Sequence, residues 1–312
     1  MSVVVVSILM LVSVAFYIVT ERKGLGMLQL RQGPNKVGFK GLVQPVADGV
    51  KLFTKEMIFP YSSIKSMYII GPLICFSCAY LLWGLFPCMY GCFYLSLGFL
   101  FFVCVSSFSV YGVFMVGWSC DSRYGFLGAM RAIAQSISYE VFLSTCLFCP
   151  LTLMGSYSLN DCRVSEFPGI LLGQEVMLLW IICVLAETNR APFDFVEGES
   201  ELVAGYMVEF GGVGFALLAL AEYSNMVFMS MVSSLLFLSC VLGKMVFDSL
   251  LFSFFVVAIS YFLVWVRGVV PRFRYDLLMG LCWKVLLPLS ICLLMVYLGL
   301  FSDLDLVLNK MS

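Results

Sequence analysis

Histidine is absent from this chain of 312 residues, and charged residues are scarce. The lack of histidine removes the side chain that proteins use most often for proton transfer near neutral pH and for metal binding. Any proton chemistry must therefore depend on carboxylates, lysine, tyrosine, cysteine or water. Charged residues make up 12% of the sequence, about half of their share in an average soluble domain. The net charge of −1 offers no basic surface for a nucleic acid.

Apolar residues take the place of the missing charges. They make up 62% of the sequence, and the mean hydropathy is +1.03. A soluble domain of this length would expose too much of this surface to water, so the lipid bilayer is the solvent that fits. The composition therefore predicts an all-α integral membrane protein.

Two CxxC pairs, Cys75 with Cys78 and Cys146 with Cys149, are the most conspicuous cysteine patterns. Both pairs lie inside hydrophobic runs that have no flanking charge. Because cysteine packs as a small apolar residue, we interpret them as core positions and expect no metal or iron–sulfur cluster. A disulfide framework is also not expected in so apolar a chain.

Uncharged runs long enough to span a bilayer, about 20 residues each, define the predicted organisation. The N-terminus has no presequence signature, so we expect the first run to be a retained span. The chain is predicted to be a single membrane domain, residues 1–312, with about eight spans. These lie near residues 2–20, 66–88, 93–118, 130–154, 168–187, 211–240, 249–266 and 284–302.

The loops between the predicted spans carry an uneven distribution of basic residues. All but three of the 18 lysines and arginines fall in or beside the odd-numbered loops. The exceptions are Arg163, Lys244 and Lys310. A bias of this kind places the odd-numbered loops on the matrix or cytoplasmic side. Both termini are then expected on the opposite side.

Residues 41–59 of the first loop have the pattern of an amphipathic helix. Leu42, Val46, Val50, Phe53 and Met57 recur at steps of four or three, which places them on one face. A helix with such a face and basic flanks is expected in the plane of the membrane interface. It could also be a surface anchor without chemistry.

The segment 186–212, here called the acidic loop, holds six acids against one base, Arg190. The acids alternate with apolar residues that favour burial, and buried acids crowded together cannot all ionise. This pattern favours a proton-accepting site over a merely solvated loop. The six acids are Glu187, Asp194, Glu197, Glu199, Glu201 and Glu209.

Two further acids, Glu140 and Glu222, interrupt predicted spans. A charge in hydrocarbon is costly, so such residues normally face a protein interior or a water path. The alternative is a structural ion pair with Arg131 or Arg190. Together with Glu187 and the acidic loop, these acids are interpreted as a chain of proton carriers that leads toward the middle of the membrane.

Six segments of the sequence resemble chain 1 of the NADH–ubiquinone oxidoreductase family, and the similarity runs from the first span to the last. The acidic loop is the most specific of them. The segments are ERKGLGMLQLRQGPN (21–35), QPVADGVKLFTKE (44–56), RAIAQSISYEV (131–141), AETNRAPFDFVEGESELVAGYMVEFGG (186–212), AEYSN (221–225) and WVRGVVPRFRYD (265–276).

This resemblance implies a role for individual residues. A quinone tunnel is expected along Arg22, Arg31 and Asp48, with Phe193 and Phe195 beside it. The acids Glu187, Asp194, Glu197, Glu199 and Glu201 would lie near the quinone cavity, and Glu140 and Glu222 would lead away from it. The basic residues Arg131, Arg190 and Arg274 would support this network.

The resemblance also implies the cellular setting. Ubiquinone is the expected substrate, and no flavin, iron–sulfur cluster or metal is expected on this chain. The expected partners are peripheral-arm subunits at the quinone site, small and antiporter-like membrane subunits, and lipids. The expected location is the mitochondrial inner membrane, with the odd-numbered loops in the matrix; a bacterial membrane remains an alternative.

Three other functions share part of the pattern. An autonomous ion or proton transporter would explain the buried acids, but not the amphipathic segment or the basic face. The related membrane subunit of a hydrogenase would use an acceptor other than quinone. A purely structural anchor would not need acids within spans. Purification in mild detergent separates the first from the others, because a transporter should survive alone.

A Glu199→Gln variant tests the acidic loop. We expect this variant to assemble normally but to lose coupled activity, because glutamine cannot exchange a proton. The measurement is the number of protons moved per electron. An unchanged ratio would contradict the assignment.

Overall fold

The computed structural model describes residues 2–87, 95–164, 173–194, 205–238 and 245–311. Over these ranges the regular structure is helical, which confirms the predicted all-α membrane protein. The helices are α1 (Ser2–Leu28), α2 (Gln44–Thr54), α3 (Lys65–Trp83), α4 (Gly98–Ser119), α5 (Arg123–Met154), α6 (Leu159–Val164), α7 (Gln174–Glu187), α8 (Gly212–Phe237), α9 (Met245–Val269), α10 (Tyr275–Leu281) and α11 (Leu287–Met311). A π-helical turn, Cys282–Leu286, joins α10 to α11.

Seven helical segments of the described chain are long and apolar enough to cross a membrane, and α10 with α11 counts as one of them. The predicted fifth span, 168–187, corresponds to α7, which has 14 residues. This helix ends at Glu187, and residues 168–172 of the predicted span lie outside the described residues.

Most helices begin or end a few residues away from their predicted bounds; α5, for example, begins at Arg123 and not near 130, and α11 ends at Met311 and not near 302. Two of the differences affect the first loop. The first span was expected to end at residue 20, but α1 continues to Leu28, because Glu21 has ion-pair partners inside the protein. The amphipathic helix was expected over 41–59, but α2 ends at Thr54 and Lys55 is extended. Beyond the end of the helix, Phe59 packs edge-on against Tyr68, with ring centroids 5.4 Å apart.

The amphipathic face of α2 is exposed, as its pattern predicts for an interfacial helix. Val46, Val50 and Phe53 are each about 60% exposed. Within the described chain the helix contacts α1 and α8 through its other side. The apolar face is therefore available to the bilayer or to another subunit.

Small residues allow α3 and α4 to pack closely at the centre of the bundle. A Cβ atom at Gly71 of α3 would lie 2.7 Å from Cγ2 and 3.0 Å from the backbone nitrogen of Val116. Gly112 of α4 makes the reciprocal contact with Cys75 of α3. Close backbone approach through small residues is a common basis of helix association in membranes.

Buried serines of α8 are satisfied within their own helix. Ser224, Ser230, Ser233 and Ser234 each donate a hydrogen bond to the carbonyl oxygen three residues earlier, at 2.7–2.9 Å. Polar groups that cannot reach water need such partners. The helix can thus run through the apolar core and still present Glu222 and Asn225 on one side.

A Gly71→Ala variant tests the packing of α3 on α4. The added methyl group would press on backbone as well as side-chain atoms, so we expect a loss of about 1–3 kcal/mol, typical of overpacking. The measurement is the melting temperature of the detergent-solubilised assembly. Gly280→Ala is the control, because an added Cβ there meets nothing within 4 Å. Equal shifts for the two variants would contradict the close packing.

Candidate functional site

The segment that follows α7 is a tight turn, residues 188–194, which begins the acidic loop. Thr188 donates its hydroxyl to the Val184 carbonyl at 2.8 Å, and Asn189 adopts the left-handed conformation with φ of 49°. The backbone N–H of Arg190 then donates to the Leu185 carbonyl at 3.1 Å, and that of Phe193 to the Arg190 carbonyl at 2.8 Å. The turn therefore has a defined conformation at the end of α7.

Neighbouring elements hold this turn from two sides. The buried Gln135 amide of α5 donates to the carbonyls of Ala186, at 2.9 Å, and Phe193, at 3.1 Å. Between α9 and α10, the Phe273 N–H donates to the Pro192 carbonyl at 3.1 Å, and its ring stacks on Phe193 with centroids 5.9 Å apart. Phe193, predicted beside a quinone tunnel, is thus buried in an aromatic contact.

A buried ion cluster lies beneath the turn. Arg190 Nη1 is 2.8 Å from Glu21 Oε1 of α1, and Arg267 of α9 pairs with the same oxygen. The Glu21 side chain is only 5% exposed. The guanidinium of Arg190 also lies 4.7 Å from the ring centre of Tyr223 on α8. One carboxylate therefore connects α1, α9 and the turn.

Arg190 stays protonated and positively charged. Burial alone would lower the pKa of its guanidinium, but the Glu21 carboxylate, together with Tyr223 and Glu222, outweighs burial and raises that pKa above its ordinary value. Arg190 was predicted as a supporting base of the proton network. Its direct partner is Glu21, a residue that the sequence patterns did not single out.

Glu187 and Glu222 line one cavity of about 80 Å³. The cavity lies between α3, α4, α5, α7 and α8, and its polar wall comes from the turn and from α8. Tyr206 donates its hydroxyl to Glu222 Oε1 at 2.7 Å. The structure therefore brings two of the predicted acids together, with a tyrosine from the far end of the acidic loop.

Glu140 lies close to this cavity without lining it. Its half-buried side chain on α5 is within hydrogen-bonding reach of Ser107 on α4. It is near enough to Glu187 for the two carboxylates to repel each other when both are charged. The three acids interpreted as proton carriers are thus neighbours.

The end of the acidic loop is held as firmly as its beginning. The Glu209 carboxylate accepts the N–H groups of Asp121, at 2.8 Å, and Ser122, at 2.6 Å, just before α5. Tyr68 of α3 donates its hydroxyl to the Glu209 carbonyl at 2.8 Å. Its ring stacks on Phe210, with centroids 4.2 Å apart.

The single turn Gly205–Met207 lies against α5 at a close backbone contact. A Cβ atom at Gly128 would be 2.9 Å from the Gly205 Cα atom. The Cys120 thiol donates to the Tyr206 carbonyl at 3.6 Å. Burial and the nearby Glu209 charge raise the pKa of Cys120 to about 12, so this thiol stays protonated and unreactive near neutral pH.

Two residues predicted for the quinone tunnel form an ion pair between α1 and α2. Arg22 Nη1 is 2.6 Å from Asp48 Oδ2, and Gln44 donates to Asp48 Oδ1 at 2.8 Å. Both charged side chains are partly exposed. The third predicted residue, Arg31, is exposed after the end of α1.

The remaining predicted residues are spread over the same face. Asp194 is buried and pairs at 3.3 Å with Arg272, a residue not predicted. Arg274, predicted as a base of the network, instead pairs with Asp276 at 3.1 Å on the surface. Arg131 is half-buried on α5. Phe195, Glu197, Glu199 and Glu201 lie outside the described residues.

Glu21, Arg267, Arg272 and Tyr206 complete the site and were missed as site residues. All four stand inside segments that the resemblance rests on, but their partners are distant in sequence. Glu21, for example, meets Arg190 and Arg267 across 169 and 246 positions. The only local signal was that Glu21 immediately follows an uncharged run.

Comparison with known proteins places these residues in a family. The family described as NADH dehydrogenase matches residues 1–298. The chain is 47% identical over 294 residues to NADH-ubiquinone oxidoreductase chain 1 of Aedes aegypti, covering 94% of this chain and 92% of the relative. It is 44% identical over 292 residues to the protein of the same name from Pecten maximus, covering 90% and 82%.

A Glu21→Ala variant tests the ion cluster. The change leaves two buried or half-buried arginines without a counter-ion, so we expect a loss of about 3–5 kcal/mol. The measurement is the melting temperature or yield of the assembled protein. Asp48→Ala is the matched control, because it breaks a partly exposed pair worth about 0–1 kcal/mol. If Asp48→Ala lowered stability as much as Glu21→Ala, the greater contribution assigned to the buried ion cluster would be wrong.

Proposed function

Because this chain belongs to the family of NADH-ubiquinone oxidoreductase chain 1, we propose that it forms the ubiquinone access tunnel and couples quinone reduction to proton translocation. The chain is a membrane subunit of an oxidoreductase complex. The proton path would run through Glu140, Glu187 and Glu222. The observation that carries this proposal is the single cavity that Glu187 and Glu222 share.

The shared cavity supports a proton path because of what surrounds it. Two acids that face one small cavity cannot both be charged without strong repulsion. When one of them takes up a proton, the other can therefore release its proton more easily. Glu140 extends the series on α5, within range of the Glu187 charge. Acids in membrane spans are rare and normally serve transport.

The tunnel would begin where α1 meets α2. The Arg22–Asp48 pair lies at this junction, and the apolar face of α2 is exposed beside it. Such a helix, lying in the interface, offers apolar surface to a lipid-soluble quinone and charged groups to its head. Arg31 and the aromatic residues 193 and 195 would belong to the same route.

The acidic loop is the proposed link between the two activities. Quinone reduction would alter the charge beside the loop, and its acids would take up or release protons. A conversion of this kind requires an element with two states. The loop, with Gly198, Gly205, Gly211 and Gly212, is our candidate, and its acids Glu197, Glu199 and Glu201 would take part.

The cellular setting follows from the same family. We propose a location in the mitochondrial inner membrane, with the odd-numbered loops in the matrix and both termini on the other side. The partners would be the peripheral-arm subunits at the quinone site and the small and antiporter-like membrane subunits. Ubiquinone would be bound as substrate, and the chain itself would carry no flavin, iron–sulfur cluster or metal.

A Glu187→Gln variant of the assembled complex tests the path. Glutamine keeps the size and polarity of the side chain but cannot ionise. We expect quinone-dependent turnover to fall roughly a hundredfold, within the range that a positioned acid or base contributes. The measurement is NADH oxidation with quinone, together with the protons moved per electron in sealed vesicles.

Glu175→Gln is the control for this experiment. Glu175 is exposed in the first turn of α7, whereas Glu187 is the last residue of that helix. The control should keep full coupled activity, and both variants should still pass electrons from NADH to a water-soluble acceptor. Normal proton-to-electron stoichiometry in Glu187→Gln would refute the path.

A further inference from the structure

Three buried oxygen atoms around the shared cavity have no hydrogen-bond donor among the described residues. They are Glu187 Oε2, Asn189 Oδ1 and Asn225 Oδ1. All three residues line the cavity of about 80 Å³. Buried polar atoms are almost always paired in folded proteins. Three exceptions in one place therefore indicate a shared hydrogen-bonding partner that the described residues do not supply.

The size and chemistry of the cavity identify this partner as water. A cavity needs about 10–15 Å³ of space on this scale to hold one water molecule, so about 80 Å³ has room for several. A water molecule placed there can donate to two oxygens at once, and a buried water typically makes about three hydrogen bonds. Apolar ligands would leave the three oxygens unsatisfied.

Each of the two asparagines lies within three residues of one of the two acids. Asn225 follows Glu222 by three residues on α8, so the two side chains share one face of the helix. Asn189 follows Glu187 by two residues, and its left-handed conformation is one that asparagine adopts more readily than most residues. Each acid thus has a neutral hydrogen-bonding group beside it on the cavity wall.

We propose that Asn189 and Asn225 hold a short chain of water molecules that connects Glu187 to Glu222. This inference rests on the proposed proton path and adds its missing link. The asparagines act as positioning residues, since they exchange no proton themselves. A proton leaves one carboxyl oxygen, passes along the water hydrogen bonds, and arrives on the other carboxylate, so that charge and atoms balance.

The first test is a cryo-EM map of the intact complex that resolves ordered water. We expect density in the cavity within 2.7–3.2 Å of Asn225 Oδ1 and Glu187 Oε2, the ordinary range of hydrogen bonds to oxygen and nitrogen. Contacts near 2.4 Å would instead indicate a bound cation and would overturn the proposal. A cavity without density would overturn it as well.

The second test is an Asn225→Leu variant of the whole complex. Leucine keeps the number and branching of the side-chain heavy atoms but offers the water no acceptor, so we expect coupled turnover to fall roughly tenfold, equivalent to about 1.4 kcal/mol on the barrier. Proton uptake should slow with it and show a larger solvent deuterium effect. Asn225→Ser restores a polar group and should recover most of the activity.

Met229→Leu is the matched control, because Met229 lines the same cavity one turn further along α8 without providing a hydrogen-bonding group. It should be nearly neutral. If Glu187→Gln abolishes coupling but Asn225→Leu does not, the water chain is refuted and the proton path stands. If neither variant affects coupling, the proposed function fails as well. An equal loss in the Met229→Leu control would show a packing effect and refute the positioning role.

Discussion

The buried carboxylate of Glu21 is the constraint on which the rest of the site depends. A charge in the interior is tolerated only when it is paired, and Glu21 is paired with both Arg190 and Arg267. These three residues come from α1, from the turn after α7 and from α9. Three distant parts of the chain must therefore meet at one point, and the position of the turn is set by that meeting.

The location of the turn determines the positions of the acids in the proposed proton path. Helix α7 ends at Glu187 and so places that residue in the cavity wall. Gln135 and Phe273 hold the beginning of the acidic loop, and Tyr68 and the start of α5 hold its end. Tyr206, just before that end, can then reach Glu222 on α8. The polar wall of the cavity has a defined geometry because both ends of the loop are held.

The sequence predicted the features that the bilayer itself imposes. Span lengths, the amphipathic α2 and the presence of acids such as Glu187 and Glu222 in apolar runs follow from the energetic cost of polar groups in lipid. Partners were harder to predict, because Glu21 finds Arg190 and Arg267 only after folding. Its position beside Arg22 and Lys23 resembles an ordinary charged membrane boundary. Arg272 pairs with Asp194, whereas Arg274, two residues further on, pairs with Asp276. Local sequence pattern does not show which of two nearby arginines will reach the acidic loop.

Adjacent residues of α1 connect the two halves of the proposed function. Successive side chains on a helix point about 100° apart, so Glu21 faces the buried turn while Arg22 faces Asp48 on α2. The two connections differ in strength. Breaking the buried pair costs about 3–5 kcal/mol, whereas the partly exposed pair contributes about 1 kcal/mol or less. A quinone head that competed for Arg22 or Asp48 could therefore release α2 from α1 and leave the turn in place. If the proposed function is correct, the contact between α1 and α2 can change when quinone binds, while the buried Glu21 pair holds the turn after α7 in place.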